Sequence, residues 1–185
     1  MANTHLFWDP EFVDVKLWQS YTLIKELESF LQPRGLPLVL CGDFNSLPDS
    51  AVYELFSTGC VHPQHKHLEY DTQGILPDAQ SLSHSIPLCS AFAAMMGKEP
   101  EFTNYTEGFK GVIDYVWFSA DTISSVGVLN MPSAADIEGI PGGKPCPNTQ
   151  HPSDHLPIVF DFVLNSSLSQ HASYDGGAGK ATRRG

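Results

Sequence analysis

Between residues 11 and 32, Val13, Leu17, Tyr21, Ile24, Leu27 and Leu31 recur at steps of three and four, with Asp14, Lys16, Lys25, Glu26 and Glu28 between them. That spacing predicts an amphipathic helix with those charges on its solvent side. Pro33 and Gly35 stop it. Residues 36–42 form a nearly continuous apolar run, as in a strand covered on both faces. A short helix follows at 50–57, capped by Asp49 or Ser50. Residues 59–86 lack periodicity and read as a long surface connection, and 87–96 read as another short helix. Strands are expected at 102–106, 112–118 and 123–129, the first two joined by a turn at Glu107-Gly108. Proline and glycine make 132–152 a loop, and alternation over 156–164 marks a last strand. Residues 165–185 are rich in Ser, Gly and Ala and read as a disordered tail. Asn3-Thr4-His5 reads as a strand at the start of the chain, leaving a sheet edge whose partner is not evident. The pattern is an α/β sandwich layer within one domain, residues 1–164, and part of a larger sandwich.

Length fits this reading, since 185 residues suit one domain. Composition adds one constraint. The net charge is −11, so a protein that grips nucleic acid through clustered Lys and Arg is excluded as the simple case. An acidic protein still handles phosphates where a divalent cation supplies positive charge. Cys41, Cys60, Cys89 and Cys146 contain no C-x-x-C pair, so they read as reduced, intracellular thiols. No charged segment leads into an apolar stretch at the N-terminus, and no run of about 18 apolar residues exists. The expectation is an intracellular protein without a membrane span.

Four short segments carry candidate chemistry. In Gly42-Asp43-Phe44-Asn45-Ser46, Asp43 and Asn45 follow a buried strand. On an extended backbone they project to the same side, placing a carboxylate and an amide at a cleft. The plainer alternative is an Asx turn closing the strand. In Ser153-Asp154-His155, an acid and an imidazole adjoin at a strand mouth, suited to a metal or phosphate, the plainer alternative being an exposed loop histidine. Asp114, within the apolar Ile113-Asp114-Tyr115-Val116, is either an edge residue facing water or paired with a buried partner, for which an imidazole N–H is the natural choice. His5 is the fourth candidate. Two further clusters carry bland readings. Phe12, Trp18 and Phe30 read as a packing face against the sheet, and His62, His65 and His67 as a solvated loop.

The order of these segments is more specific than any one of them. N-T-H, G-D-F-N, G-x-I-D-Y and S-D-H resemble the endonuclease/exonuclease/phosphatase superfamily, four-layer α/β sandwiches (DNase I-like) of metal-dependent phosphodiesterases. The longer runs NTHLFWDP, GDFNSLP, EFTNYTEGFKG and IDYVWF resemble the poly(A) deadenylases of the carbon-catabolite-repression type and their nocturnin-like relatives. The resemblance covers residues 2–164. It implies that Asp43 is the acid/base and meets magnesium, that Asn45 contacts phosphate, and that His155 steadies the scissile phosphate while Asp114 orients it. It implies Asp154 as a further metal-associated acid, and His5, Pro10, Asn45, Asn104 and Phe109 as substrate contacts. The implied activity is a magnesium-dependent 3′-to-5′ exoribonuclease that shortens messenger-RNA poly(A) tails to 5′-AMP. The implied partners are RNA and the cytoplasmic deadenylase complex, with no DNA or membrane, and the implied place is cytoplasm, with nucleus as a second location. The family's metal-binding glutamate lies before the N-T-H strand, so the resemblance covers the C-terminal half of the domain. The expectation is a two-magnesium site missing its main glutamate here, and a chain poorly folded or inactive on its own. The competing readings are a phosphatase or nuclease acting on another nucleotide, and a fragment that binds without catalysis.

Overall fold

The computed structural model describes residues 1–71, 73–140 and 145–165. Residues 166–185 of the tail read as disordered lie outside the described residues.

Helix α1 (Val13–Leu31) forms where the periodicity places it, and Gly35, at φ 57°, closes the turn of 3-10 helix that follows. Leu17 and Ile24 are fully buried. The expected polar face is only half right, because Asp14, Lys16 and Glu28 are buried as well. The reason is that α1 also packs sideways, against helix α2 (Ala51–Thr58) and the turn of 3-10 helix at Lys66–Tyr70. Glu28 survives there because it accepts hydrogen bonds from Ser85 N (2.5 Å) and Ser85 Oγ (2.6 Å) and pairs with Lys25. Burial disfavours its charge, but these partners outweigh that and hold its pKa at about 2. The aromatic reading fails. Phe12, Trp18 and Phe30 are all about half exposed. Their positions turn away from the Leu17–Ile24 stripe, and Phe30 carries the Arg34 guanidinium on its ring instead.

Strand β1 (Ala2–His5) runs parallel to β2 (Val39–Asp43). Strands β2 and β3 (Leu88–Ser90) are both antiparallel to β6 (Asp114–Ser119). The main sheet thus has the order β1-β2-β6-β3. Two small pairs flank it. They are β4 (Asn104–Tyr105) with β5 (Lys110–Gly111), and β7 (Ile123–Val128) with β8 (Phe160–Leu164). Alternation along β6 sorts the layers. Tyr115 and Trp117 join Leu40, Phe44, Leu55 and Phe56 under α1 and α2. Val116 and Phe118 face the opposite way, onto Ile123, Phe160 and Phe162 of the β7–β8 pair. The sheet is therefore covered on both sides, as the apolar run at 36–42 requires.

Three expected boundaries move. Residues 87–96 split into β3 and helix α3 (Ala91–Met96), since pairing with β6 takes Leu88–Ser90 into the sheet. The 59–86 connection is not wholly a surface segment, because Val61 and Leu82 are buried and Cys60 bridges Ser83. The 132–152 loop holds helix α4 (Ala134–Glu138), started by a capping box between Ser133 and Asp136.

Candidate active site

Strand register builds the site. His5 is the β1 partner of Asp43, and Asp43 is the β2 partner of Asp114. The three residues form one row across adjacent strands, which lie roughly 4.8 Å apart. Each sits at the strand end nearest the connecting loops, so the row opens at the rim of the sheet. Gly42 makes the row possible. Its φ is 146°, and a Cβ there would stand 1.9 Å from the Thr4 carbonyl oxygen.

Asp43 ends β2, so the extended-segment geometry expected for Asp43 and Asn45 does not hold. Asn45 is left-handed, at φ 46°. Its backbone N–H donates to Asp43 Oδ1 at 2.8 Å, and its Nδ2 donates to the Leu6 carbonyl at 3.0 Å. The turn reading and the cleft reading are thus both present. The Asx turn fixes one oxygen of Asp43 and aims the other, Oδ2, into the cleft.

The loop before β8 brings His155 to the row. It bridges Asn104 in antiparallel fashion, and Leu156 N–H donates to the Thr103 carbonyl at 2.8 Å. His155 Nδ1 lies 2.9 Å from Asp114 Oδ2 and 3.1 Å from Asp114 Oδ1. Its Nε2 lies 3.9 Å from Asp43 Oδ2, and His5 Nε2 is 3.4 Å from the same oxygen. Asp114 is anchored from behind. Thr103 Oγ1 donates to Asp114 Oδ2 at 2.7 Å and accepts the backbone N–H groups of Ile113 and Asp114 at 3.0 Å each. Thr103 is wholly buried. Thr103, between Phe102 and Asn104, was not singled out from the sequence, and its spacing from Asp114 gives no signal.

Charge and burial set opposite tendencies here. Burial, followed by the charge of Asp114, raises the pKa of Asp43, although the Asn45 N–H, His155 and His5 oppose this. Burial works against a charged His155, but the hydrogen bond to Asp114 and the charges of Asp114, Asp43 and Asp154 together outweigh it, so its pKa is raised. The arrangement can hold a proton on His155 and keep a basic oxygen on Asp43 beside it.

A cleft of about 680 Å³ lies over the row. His5, Pro10, Asp43, Asn45, Asn104, Phe109, Asp154 and His155 all line it. Asp114 stands behind His155. Phe109 is presented by the β4–β5 turn, where Thr106 Oγ1 accepts the N–H groups of Gly108 (3.3 Å) and Phe109 (3.0 Å). Its ring lies over Gly111, where a Cβ would come within 2.8 Å of Phe109 Cζ. Asn104 Nδ2 donates to Asp154 Oδ2 at 3.3 Å. Trp8, Lys16 and His67 also line the cleft, so the solvent-side reading of Lys16 and the solvated-loop reading of His67 do not hold. His67 Nδ1 accepts the Ala51 N–H at 3.4 Å, and burial with its neighbours His65 and Lys66 lowers its pKa to about 4.

Asp43, Asp114 and His155 offer ligand atoms within 4.8 Å of one another, the one such group among the described residues. Asp154, expected as a metal-associated acid, stands outside it, its carboxylate engaged by Asn104. The donor set fits a hard cation in a limited way. Both Asp114 oxygens face His155 and one also holds Thr103, which leaves Asp43 Oδ2 as the carboxylate oxygen open to the cleft. One carboxylate with water and substrate oxygens is a donor set for a hard divalent cation. His62, His65 and His67 form no such set, and His65 leans instead toward Glu54 at 4.0 Å.

The model of the Endonuclease/Exonuclease/phosphatase family matches residues 6–155. The chain belongs to that family. Among curated members it is 36% identical to Carbon catabolite repressor protein 4 homolog 1 of Arabidopsis thaliana, in a match that covers 88% of this chain and 29% of the relative. It is also 36% identical to the CCR4-Not complex 3′-5′-exoribonuclease subunit Ccr4 of Kluyveromyces lactis, over 94% of this chain and 22% of that protein. The chain thus spans less than a third of the length of these relatives. Among solved structures of the family fold, ANGEL2, described as a 2′,3′-cyclic phosphatase, superposes with a TM-score of 0.69 at 26% identity. That match covers 86% of this chain and 55% of ANGEL2. The human nocturnin catalytic domain superposes at 0.58 and 23%, over 88% of this chain and 46% of nocturnin. The expected α/β sandwich therefore stands, and the chain corresponds to about half of it.

Proposed function

We propose that this chain carries the C-terminal part of a metal-dependent 3′-to-5′ exoribonuclease that removes adenylates from poly(A). One observation carries the reading: register and the Asn104–His155 bridge join Asp43, Asp114 and His155 at the floor of a cleft walled by Pro10 and Phe109. Thr103 holds Asp114, and Asp114 accepts the Nδ1 proton of His155. That bond fixes the ring and turns Nε2 toward Asp43. A protonated His155 donates Nε2–H to a phosphoryl oxygen and offsets the charge gathering there. Asp43, with its pKa raised, accepts a proton from the attacking water through Oδ2. Magnesium, were it held beside Asp43 with water and substrate oxygens as its other ligands, would offset phosphate charge while the 3′-oxygen of the preceding nucleotide is the leaving group. The faces of Pro10 and Phe109 stack the terminal base, worth about 1–3 kcal/mol for an aromatic. Recognition through one metal and one base is consistent with a net charge of −11. The family resemblance favours the cytoplasm, within a deadenylase complex, as the setting of the reaction.

Binding tests this reading without requiring turnover. Millimolar magnesium is expected to raise the melting temperature of the wild-type chain and not of Asp43→Ala, as linkage requires of a native-state ligand. Oligo(A) is expected to bind better than oligo(U). No magnesium shift together with equal binding of the two oligomers refutes the proposal. A second reading rests on the superposition with ANGEL2 and makes the substrate a 2′,3′-cyclic phosphate end. Oligo(A) ending in a 2′,3′-cyclic phosphate, compared with a 3′-hydroxyl end, separates the two.

A further inference from the structure

Lys16 is an unusual residue for its place. It lies on α1, is 4% exposed, and lines the cleft beside Asp43 and Asn45. Among the described residues its Nζ makes no hydrogen bond and no ion pair. The charges acting on it are those of Asp9 and Asp43, which partly offset a burial that lowers its pKa. The stem of Lys16 is buried while its unpaired Nζ opens into the cleft, so a partly desolvated cation is presented there to an anion arriving from elsewhere. Lys16 is also the one Lys or Arg among the described residues lining this cleft. The neighbouring His67 is neutral at physiological pH, and its Nδ1 is taken by the Ala51 N–H, so it offers an N–H and no charge. Trp8, Pro10 and Val13 form the wall on the α1 side, and their apolar surface keeps the local dielectric low.

We propose that Lys16 is a phosphate-binding residue of the cleft, its ammonium meeting a phosphate oxygen of the entering nucleotide. The inference rests on the nucleotide reading above and names the group on the protein that meets the ligand's charge. The cation belongs to the protein, so it acts before any metal binds. Lysine serves as a point charge, which suits a phosphate presented at varying angles better than a planar fork does.

The test uses the full chain in metal-free buffer with three probes: 5′-AMP, adenosine and inorganic phosphate. Wild type is expected to bind 5′-AMP about tenfold more tightly than adenosine, or better. Lys16→Met is expected to abolish that preference while leaving adenosine binding unchanged, and Lys16→Arg to keep most of it. A Lys16→Met protein that still prefers 5′-AMP overturns the proposal and leaves the nucleotide reading intact. Should Lys16→Met fail to fold, wild-type protein carrying 13Cε-labelled lysine decides. Phosphate is expected to shift the Lys16 resonance where chloride at equal ionic strength does not, and an unmoved resonance overturns the proposal. A phosphate shift at Lys16 with no binding of either nucleoside probe upholds the anion site and sinks the nucleotide reading instead.

Discussion

Thr103→Val removes one oxygen and keeps the shape of the side chain. Thr103 Oγ1 donates to the Asp114 carboxylate at 2.7 Å and accepts two backbone N–H groups, all in a fully buried position. A hydrogen bond to a charged group contributes about 1.5–3 kcal/mol, and a buried donor left without a partner costs about 1–3 kcal/mol. The losses share one atom and do not add in full, so the expected destabilisation is about 3–5 kcal/mol. Thr103→Ser keeps the oxygen and loses a methyl group, at about 1 kcal/mol. Urea denaturation of the three proteins, with the slope checked for constancy, measures both. Serine is expected to lie close to wild type, with valine well below. The Nδ1 proton of His155 gives a second readout by NMR, since it is expected to lose its sharp downfield signal when Asp114 is freed to turn. A valine variant within about 1 kcal/mol of wild type, or a serine variant worse than valine, refutes the anchoring argument.

Three other outcomes are expected. Gly42→Ala forces a Cβ against the Thr4 carbonyl at a φ of 146°, and is expected to cost about 3 kcal/mol or more and to lower the melting temperature by roughly 6–12 °C; an unchanged melting temperature contradicts the close β1–β2 approach. Glu28 has a pKa near 2 in the folded state against an ordinary value of 4.5, so the stabilisation it gives is complete above about pH 5 and is lost as pH falls toward 2. Between those limits wild type is expected to lose about 2–3 kcal/mol more than Glu28→Gln, and parallel acid denaturation curves count against the buried Ser85–Glu28–Lys25 contact. Phe109→Ala is expected to weaken oligo(A) binding about tenfold with little loss of stability, since the ring is 39% exposed; unaltered binding removes Phe109 from the base site.

The parts of the fold that local spacing governs were legible. The α1 repeat, the apolar run of β2 and the alternation of β6 each report a single element against its neighbours. What stayed hidden depends on partners far along the chain. Lys16 and Glu28 look like solvent positions on a helical wheel, but segments far along the chain cover them, Ser85 meeting Glu28 and the 66–70 turn packing against the side of α1. Phe12, Trp18 and Phe30 mislead in the opposite sense, because hydrophobic character alone does not tell which azimuth of a helix meets the core. The split of 87–96 into strand and helix is likewise fixed by β6, which lies more than twenty residues on.

The candidate site shows the same division more sharply. Asp43, Asp114 and His155 could be named from short motifs, yet nothing in their spacing says that they touch. Their meeting is a consequence of register: a shift of one residue between β2 and β6 would turn Asp114 to the opposite face and leave His155 without an acceptor. On the other side of β2, Gly42 lets β1 approach closely enough to set His5 beside Asp43. The Asn45 turn then removes one carboxylate oxygen from play, and Thr103 does the same on Asp114. With the Asp114 oxygens committed to His155 and Thr103, and one Asp43 oxygen to the turn, the row ends with one basic oxygen and one imidazole N–H facing a common space. A sequence motif records the residues that chemistry needs, and the register, the turn and the buried threonine decide which of their atoms remain free to perform it.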